Sequence, residues 1–210
     1  VEDSNDVLYQ VDRLTGDVTH VYDTHGAVQS QVLFVDGDLL YSDLGGFTTR
    51  QPVDGSEPTW EHFGGAPIAT APTLQDGVVY IADVDDTVVA LNAETGEVLW
   101  RYSRPVDPTR TSDLTLFGAP RPTVAGDLIL AGFSDGNLVA LRQKDGQVTW
   151  ERRIGEGRYP DLIGTPLVVE NTAYIGGFSE PLVALDMETQ NIRWRLEEGG
   201  SATIPTPHEG

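Results

Sequence analysis

A unit of about 40 to 50 residues that repeats along the chain is the feature that most constrains its fold. The segment 76–100 recurs at 126–150 and at 171–194, and a more divergent copy lies at 36–60. Each copy ends on a tryptophan, and these are the only four tryptophans of the sequence, 40, 50 and 44 residues apart. A repeat of this length is typical of an array of equal structural units.

Each copy has the pattern of several short β-strands. Residues 78–82 and 128–131 are continuous apolar runs between turn residues, as expected of strands that are buried on both faces. The Ser-Asp-Gly-Asn sequence at 134–137 suits a hairpin turn that needs a positive φ. The proline-containing piece at 65–72 has counterparts ahead of the other copies, and proline is tolerated at the start of a strand. Four strands per copy, with no helical pattern of useful length, predict an all-β fold of the β-propeller type.

The repeats predict four complete blades of four antiparallel strands, in a single propeller domain covering 1–210 or in part of one. The complete blades are expected near residues 28–60, 65–100, 117–150 and 162–194, with partial blades at 6–22 and 201–210. The two ends either combine into a fifth blade or belong to a larger ring. Because an open propeller leaves sheet edges unpaired, we expect the chain to be a piece of a larger ring.

The tryptophans share one position in the repeat, shortly after a turn that usually carries a glycine. An indole ring at this position contributes a large apolar contact between neighbouring blades. The residues predicted to dock blades against one another are Trp60, Trp100, Trp150, Trp194, Gly96 and Gly146. In the N-terminal partial copy His20 takes the tryptophan position. No tryptophan is left over to stack on a ligand.

The charge of the chain excludes several classes of partner. Thirty-three acidic residues against 13 lysines and arginines give a formal net charge of -20, which disfavours binding to nucleic acid or to an anionic membrane surface. The absence of cysteine removes disulfides and thiolate metal sites. No apolar run approaches the length of about 18 residues that a membrane span needs, and we expect no signal peptide. Lys144 is the only lysine, which fits either a high-salt environment or a GC-rich genome.

No cluster of reactive residues stands out in the sequence. The carboxylates of Asp83, Asp85 and Asp86 form the densest acidic cluster and suit a calcium ion, but their place on a hairpin turn favours solvated turn residues. None of the four histidines has a partner at a metal-binding spacing. We therefore expect no catalytic residue, no metal site and no cofactor.

The segment 90–100, with counterparts at 140–150 and 184–194, resembles the repeat of pyrroloquinoline-quinone-type propellers. Within that superfamily, segments 112–120 and 161–169 resemble the BamB-type outer-membrane assembly lipoproteins. The resemblance implies an eight-bladed ring, anchored through a lipid-modified cysteine at the periplasmic inner face of the outer membrane of a Gram-negative bacterium. It also implies a non-catalytic scaffold whose partners are a BamA-like barrel-insertion subunit or unfolded outer-membrane clients.

In that family a surface built from two segments docks the partner BamA. By position, Leu114 and Leu116 match two leucines of the first segment, and Asp161 matches the first aspartate of the second. Phe117 stands where the family has an arginine, and Ile163 stands where it has a second aspartate. The resemblance therefore implies the apolar half of this surface, whereas its polar half is altered.

A long connection precedes the blade that ends at Trp150. Its residues 105–116 make this repeat interval the longest, and insertions on one face of a ring usually mark a binding face. The leucines and phenylalanine just described either anchor an interface or begin an inner strand that the neighbouring blade covers. The connection at 155–161 is predicted on the same face and contributes Arg158 and Tyr159 as further partner-binding residues.

Two other functions stand as alternatives to the scaffold. One is a ligand- or cation-binding sensor propeller of a larger receptor, with its site in the central channel. The other is a quinone-dependent dehydrogenase, which the sequence disfavours because such enzymes need an adjacent disulfide, a calcium cluster and a stacking aromatic residue outside the repeat positions.

Overall fold

The computed structural model describes residues 2–3, 6–105, 119–157, 159–178, 182–196 and 205–206. Across these ranges the chain forms β-strands, turns and connections and contains no helix. Accordingly, no helix in the described ranges could cross a membrane.

The described strands form five antiparallel sheets. The N-terminal sheet contains β1 (Glu2–Asp3), β2 (Val7–Val11) and β3 (Val18–Asp23). Blade 1 contains β4 (Leu33–Val35), β5 (Asp38–Ser42), β6 (Phe47–Pro52) and β7 (Trp60–Phe63). Blade 2 contains β8 (Thr73–Gln75), β9 (Val78–Ala82), β10 (Thr87–Asn92) and β11 (Val98–Ser103). Blade 3 contains β12 (Thr123–Ala125), β13 (Leu128–Gly132), β14 (Asn137–Arg142) and β15 (Val148–Arg153). Blade 4 contains β16 (Leu167–Val169), β17 (Thr172–Ile175), β18 (Val183–Asp186) and β19 (Ile192–Arg195).

Strands that follow one another in the sequence are neighbours in each sheet, so every blade is a four-stranded meander. The predicted all-β propeller of four-stranded antiparallel blades is confirmed. The N-terminal sheet has one more strand than the two predicted at 6–22, because Glu2 and Asp3 pair with Leu8 and Val7. The partial blade predicted at 201–210 lies almost wholly outside the described residues and stays a prediction.

The turn between the third and fourth strands is built in the same way in several sheets. In blade 2 the Asn92 side chain accepts hydrogen bonds from the backbone amides of Glu94 at 2.8 Å and Thr95 at 3.0 Å. Gly96 then adopts a φ of 71°, a region that side chains other than glycine rarely enter. Asp12 and Asp186 open the corresponding turns of the N-terminal sheet and blade 4 by the same contacts. The Asx residue and a residue of positive φ, glycine in blade 2 and Gln190 in blade 4, therefore fix this turn locally.

The core lies between the blades rather than within any one of them. One apolar cluster joins Val88 and Ala90 of blade 2 to Ile129 and Leu141 of blade 3, and all four are fully buried. Equivalent clusters join the N-terminal sheet to blade 1, blade 1 to blade 2, and blade 3 to blade 4. Because the middle strands are covered on both faces, they carry the continuous apolar runs seen in the sequence.

Tryptophan and glycine meet at two of these seams. The Trp60 ring lies against Gly96 of the next blade, where an added Cβ would come within 2.7 Å of Cδ2. The Trp100 ring lies in the same way against Gly146, with 2.5 Å between such a Cβ and Cε3. The indole N–H of Trp60 donates to the Ala93 carbonyl at 3.0 Å. Each indole ring therefore requires a glycine in the turn of the following blade, because any side chain there would overlap the ring.

The other three residues at the tryptophan position of the repeat differ from one another in their surroundings. His20 replaces the tryptophan in the N-terminal sheet and lies against Gly55 of blade 1. Trp150 is partly buried against the cluster between blades 3 and 4. Trp194 is 46% exposed, which differs from the expectation that all four rings are covered. Among the described residues no strand follows β19, so no turn of a next blade covers this ring.

Candidate functional site

The connections between blades and the turns between second and third strands lie at the same end of the propeller. This follows from the topology, because each blade has four strands of alternating direction and every blade starts in the same sense. We call this end the loop face, and the opposite end the turn face. The strands on either side of the 105–116 and 155–161 connections end and begin at the loop face, and the placement of residues 106–116 themselves stays a prediction.

The sequence-predicted partner-binding residues fall partly outside the described residues. These are Leu114, Leu116 and Phe117 in the 106–118 segment, and Arg158. Their part in an interface stays a prediction. Tyr159 is described: it lies on the loop face, half-buried, with its ring edge-on to Phe178 at a centroid distance of 6.1 Å.

Asp161 does not present a carboxylate to solvent. Only 6% of the residue is exposed, and its backbone carbonyl accepts a hydrogen bond from the Phe178 amide at 2.9 Å. The Leu162 amide also donates to the Phe133 carbonyl at 3.2 Å, so the backbone on both sides of this carboxylate is bound to neighbouring loops. The docking contact expected of Asp161 stays a prediction. Phe178 itself is 43% exposed, and sequence analysis missed it. The signal that could have found it is a phenylalanine in the connection between the second and third strands of a blade, three residues after β17 ends.

Residues 154, 155 and 160 contact the turn between β13 and β14. The amides of Ile154 and Gly155 both donate to the Gly136 carbonyl, at 2.8 and 2.9 Å. A Cβ on Gly155 would overlap the carbonyl oxygen of Pro160, and a Cβ on Gly136 would meet the same proline. The glycines therefore allow backbone segments to touch, and the loop that carries Tyr159 is held in place before any partner binds.

Arg104 forms the polar centre of the loop face between blades 2 and 3. Its guanidinium donates to Asp135 at 2.6 Å, to Glu151 at 2.8 Å and to the Tyr102 hydroxyl at 3.1 Å. Its Cζ lies 5.5 Å from the centre of the Phe133 ring. Burial opposes the positive charge, but the hydrogen bonds to Glu151 and Asp135 outweigh it and raise the pKa of Arg104. This cluster fixes the chain where the 106–118 connection begins.

The acidic turn of blade 2 is structural. The Asp83 side chain is buried and accepts hydrogen bonds from the amides of Asp85 and Thr87, both at 3.0 Å. The Asp86 carboxylate accepts the Ser134 amide at 2.9 Å and the hydroxyl of the same serine, which joins blade 2 to blade 3. Over the described ranges, no group of three or more histidines and carboxylates could hold a metal ion.

In the described part of the chain, four-stranded meanders pack side by side, and at two seams a tryptophan ring lies against a glycine of the next blade. These features define the protein as a repeat β-propeller. The family model described as "Outer membrane protein assembly factor BamB" matches residues 3–210, and the chain belongs to this family.

Similar proteins include both assembly factors and enzymes. The chain is 26% identical over 206 residues to the outer membrane protein assembly factor BamB of Yersinia pestis, which covers 94% of this chain and 51% of that protein. It is 28% identical over 150 residues to quinohemoprotein alcohol dehydrogenase ADH IIB of Pseudomonas putida, covering 67% of this chain but 22% of the enzyme. The crystal structure of BamB from Moraxella catarrhalis superposes with a TM-score of 0.73 at 18% identity, over 97% of this chain and 70% of that one. The chain thus spans about half the length of the Yersinia relative.

Proposed function

We propose that this protein is a non-catalytic scaffold that binds protein partners on its loop face, as part of an outer-membrane protein assembly machinery. The observation that carries the proposal is the partly exposed Tyr159–Phe178 ring pair on the loop face, where the Phe178 amide donates a hydrogen bond to the Asp161 carbonyl at 2.9 Å. Aromatic rings on rigid backbone are frequent anchors of protein interfaces. Membership of a family described as an assembly factor supports the role.

The proposed partner is a BamA-like barrel-insertion subunit, with unfolded outer-membrane clients as a second class of ligand. The proposed location is the periplasmic inner face of the outer membrane, with a lipid anchor in the full-length protein. The proposed partner and the proposed location both follow from membership of the family. They concern proteins such as the Yersinia relative, of whose length this chain spans about half.

Catalysis is the weaker hypothesis despite the likeness to a quinohemoprotein dehydrogenase. The indole groups of Trp60 and Trp100 are used inside blade seams, where both donate to backbone carbonyls. The carboxylates of Asp83 and Asp86 accept hydrogen bonds within blade 2 and across to blade 3. These two indole groups and two carboxylates are therefore engaged in holding the fold together.

The proposal is tested by binding of the periplasmic part of a BamA-like partner to loop-face variants. We expect Phe178→Asp to weaken binding by about tenfold or more, because a charge would replace an interface anchor. Phe117→Asp tests the 106–118 connection in the same way. Leu14→Asp is the matched control, since Leu14 is exposed in a turn on the opposite face.

Isothermal titration calorimetry measures the affinities, and circular dichroism checks that each variant is folded. Equal affinity of the wild type, both loop-face variants and the Leu14 variant would contradict a partner surface on the loop face.

A further inference from the structure

A second aromatic cluster reaches solvent on the loop face, in blade 1. The His25 ring stacks on Phe47 with 3.8 Å between centroids, and Phe47 lies 4.9 Å from Phe63. The outer ring, Phe63, is 57% exposed, and His25 is also exposed. With Glu61, whose carboxylate lies 3.0 Å from His25 Nε2, these residues form what we call the blade 1 platform. An exposed stack of this kind leaves apolar area in water that a partner can cover.

Asp43 holds the platform together from below. This fully buried carboxylate accepts hydrogen bonds from the amides of Phe47 at 3.1 Å and His25 at 3.2 Å. The two amides belong to the first residue of β6 and to the connection from the N-terminal sheet, so one side chain fixes both segments. The ring-bearing residues are therefore ordered by backbone contacts rather than by packing of the rings alone.

Close backbone contacts make the platform rigid. A Cβ on Gly26 would overlap the Gly45 amide nitrogen, and a Cβ on Gly45 would overlap the His25 carbonyl. The Gly64 amide donates to the Gly46 carbonyl at 2.9 Å, which ties the end of β7 to the same turn. Binding to a surface that is already ordered carries a small entropic cost.

The charges around the platform specify what could bind. Asp23, Glu61 and Asp85 are exposed carboxylates in the N-terminal sheet, blade 1 and blade 2. One cation, Arg101, also lies beside the platform, and its guanidinium donates to the Gly64 carbonyl at 3.3 Å. With a net charge of -20 on the chain, the complementary partner is basic. A guanidinium is planar and weakly hydrated, and it can stack on an aromatic ring while it pairs with a carboxylate.

We propose that the blade 1 platform binds an arginine side chain in a basic segment of a protein partner, with the guanidinium over Phe63 and paired with Glu61. The site extends the proposed scaffold role but uses a different blade from the Tyr159–Phe178 pair. The two proposals can therefore fail separately: the first depends on Phe178 and a BamA-like protein, the second on Phe63 and a small arginine probe.

The probe is a short peptide with two arginines separated by glycine, compared with the same peptide carrying lysine or citrulline. Proteins labelled with ¹³C in phenylalanine and histidine rings are titrated by NMR. We expect saturable shifts of the Phe63 and His25 signals, and about fivefold to tenfold weaker binding of the lysine peptide. The citrulline peptide, which is uncharged, is expected to bind least.

Phe63→Ala and Glu61→Gln should each weaken binding of the arginine peptide by about fivefold or more. Phe34→Ala is the matched control, because Phe34 is 71% exposed on the inner strand of blade 1 and lies outside the platform. Melting curves verify folding. Equal binding of the lysine peptide, or binding unchanged by both platform variants, would mean non-specific attraction to an acidic protein and would overturn the proposal.

Discussion

A single backbone position decides how two blades meet. Gly96 has two reasons to be glycine: its φ of 71° and the Trp60 ring that occupies the space of a side chain. Gly77, in the same blade, has only the first reason, with a φ of 76° and nothing within 4 Å of an added Cβ. The pair therefore separates the conformational cost of a left-handed residue from the cost of a steric overlap with the indole.

Gly96→Ala is expected to destabilise the protein more than Gly77→Ala. The Gly77 variant should lose about 1 kcal/mol from its positive φ alone. The Gly96 variant should lose about 2 to 4 kcal/mol, since the ring of Trp60 must also move. Urea unfolding followed by tryptophan fluorescence measures both. Equal losses of unfolding free energy in the two variants would show that the Trp60 ring does not require a glycine at position 96.

At the scale of elements, the seam between the N-terminal sheet and blade 1 is closed by tyrosine. Tyr41 on β5 is 1% exposed and packs with Leu8, Tyr22 and Val28. Burial raises the pKa of Tyr41 to about 12, and the nearby carboxylates of Asp43 and Glu61 act in the same direction. The folded state therefore favours the neutral phenol.

The pKa of Tyr41 predicts an alkaline limit to stability. The pKa of Tyr41 in the folded state lies above the ordinary value of 10.0. The stabilisation that the buried neutral phenol gives to the folded state is therefore fully present below pH 10 and is lost as the pH rises through about 12. Relative to Tyr41→Phe, the wild type should lose about 2 kcal/mol of unfolding free energy across that interval. Urea unfolding at a series of alkaline pH values measures the difference. A constant difference between the two proteins would contradict the buried, neutral phenol.

The blades were predictable from sequence because their determinants are local and repeated. Trp100 and Gly96, for example, stand at fixed distances from apolar runs and turn residues, so spacing alone identifies the strands. The loop face was harder to predict because its geometry depends on contacts between distant segments. The burial of Asp161 and the exposure of Phe178 were not predicted. The stack of His25 on Phe47 joins a connection to a strand of blade 1 and leaves no periodic signal.

At the scale of the whole molecule, the charge is the dominant feature. The excess of carboxylates gives -20, and arginine outnumbers lysine twelve to one. Some of the 13 basic side chains are already paired within the fold, as in the Arg50–Asp38 and Arg104–Asp135 ion pairs. Most carboxylates are therefore without a counter-charge on the same chain, and their mutual repulsion opposes the compact state.

Salt is expected to stabilise the protein. Added ions screen repulsion between exposed carboxylates, because the Debye length falls from about 10 Å at 0.1 M to about 3 Å at 1 M. The melting temperature should rise by several degrees over this range of sodium chloride, measured by calorimetry. A melting temperature that does not change would favour the explanation of the arginine excess by nucleotide composition alone.

The central claim is that a rigid propeller presents its loop face to protein partners. Hydrogen exchange of the protein with and without a BamA-like partner tests it most directly. We expect added protection in loop-face peptides, covering 25–27, 43–47, 155–161 and 176–178, and unchanged exchange in the turn-face peptides around Gly96 and Gly146. Protection confined to the turn face, or to the outer edge of β19, would contradict the claim.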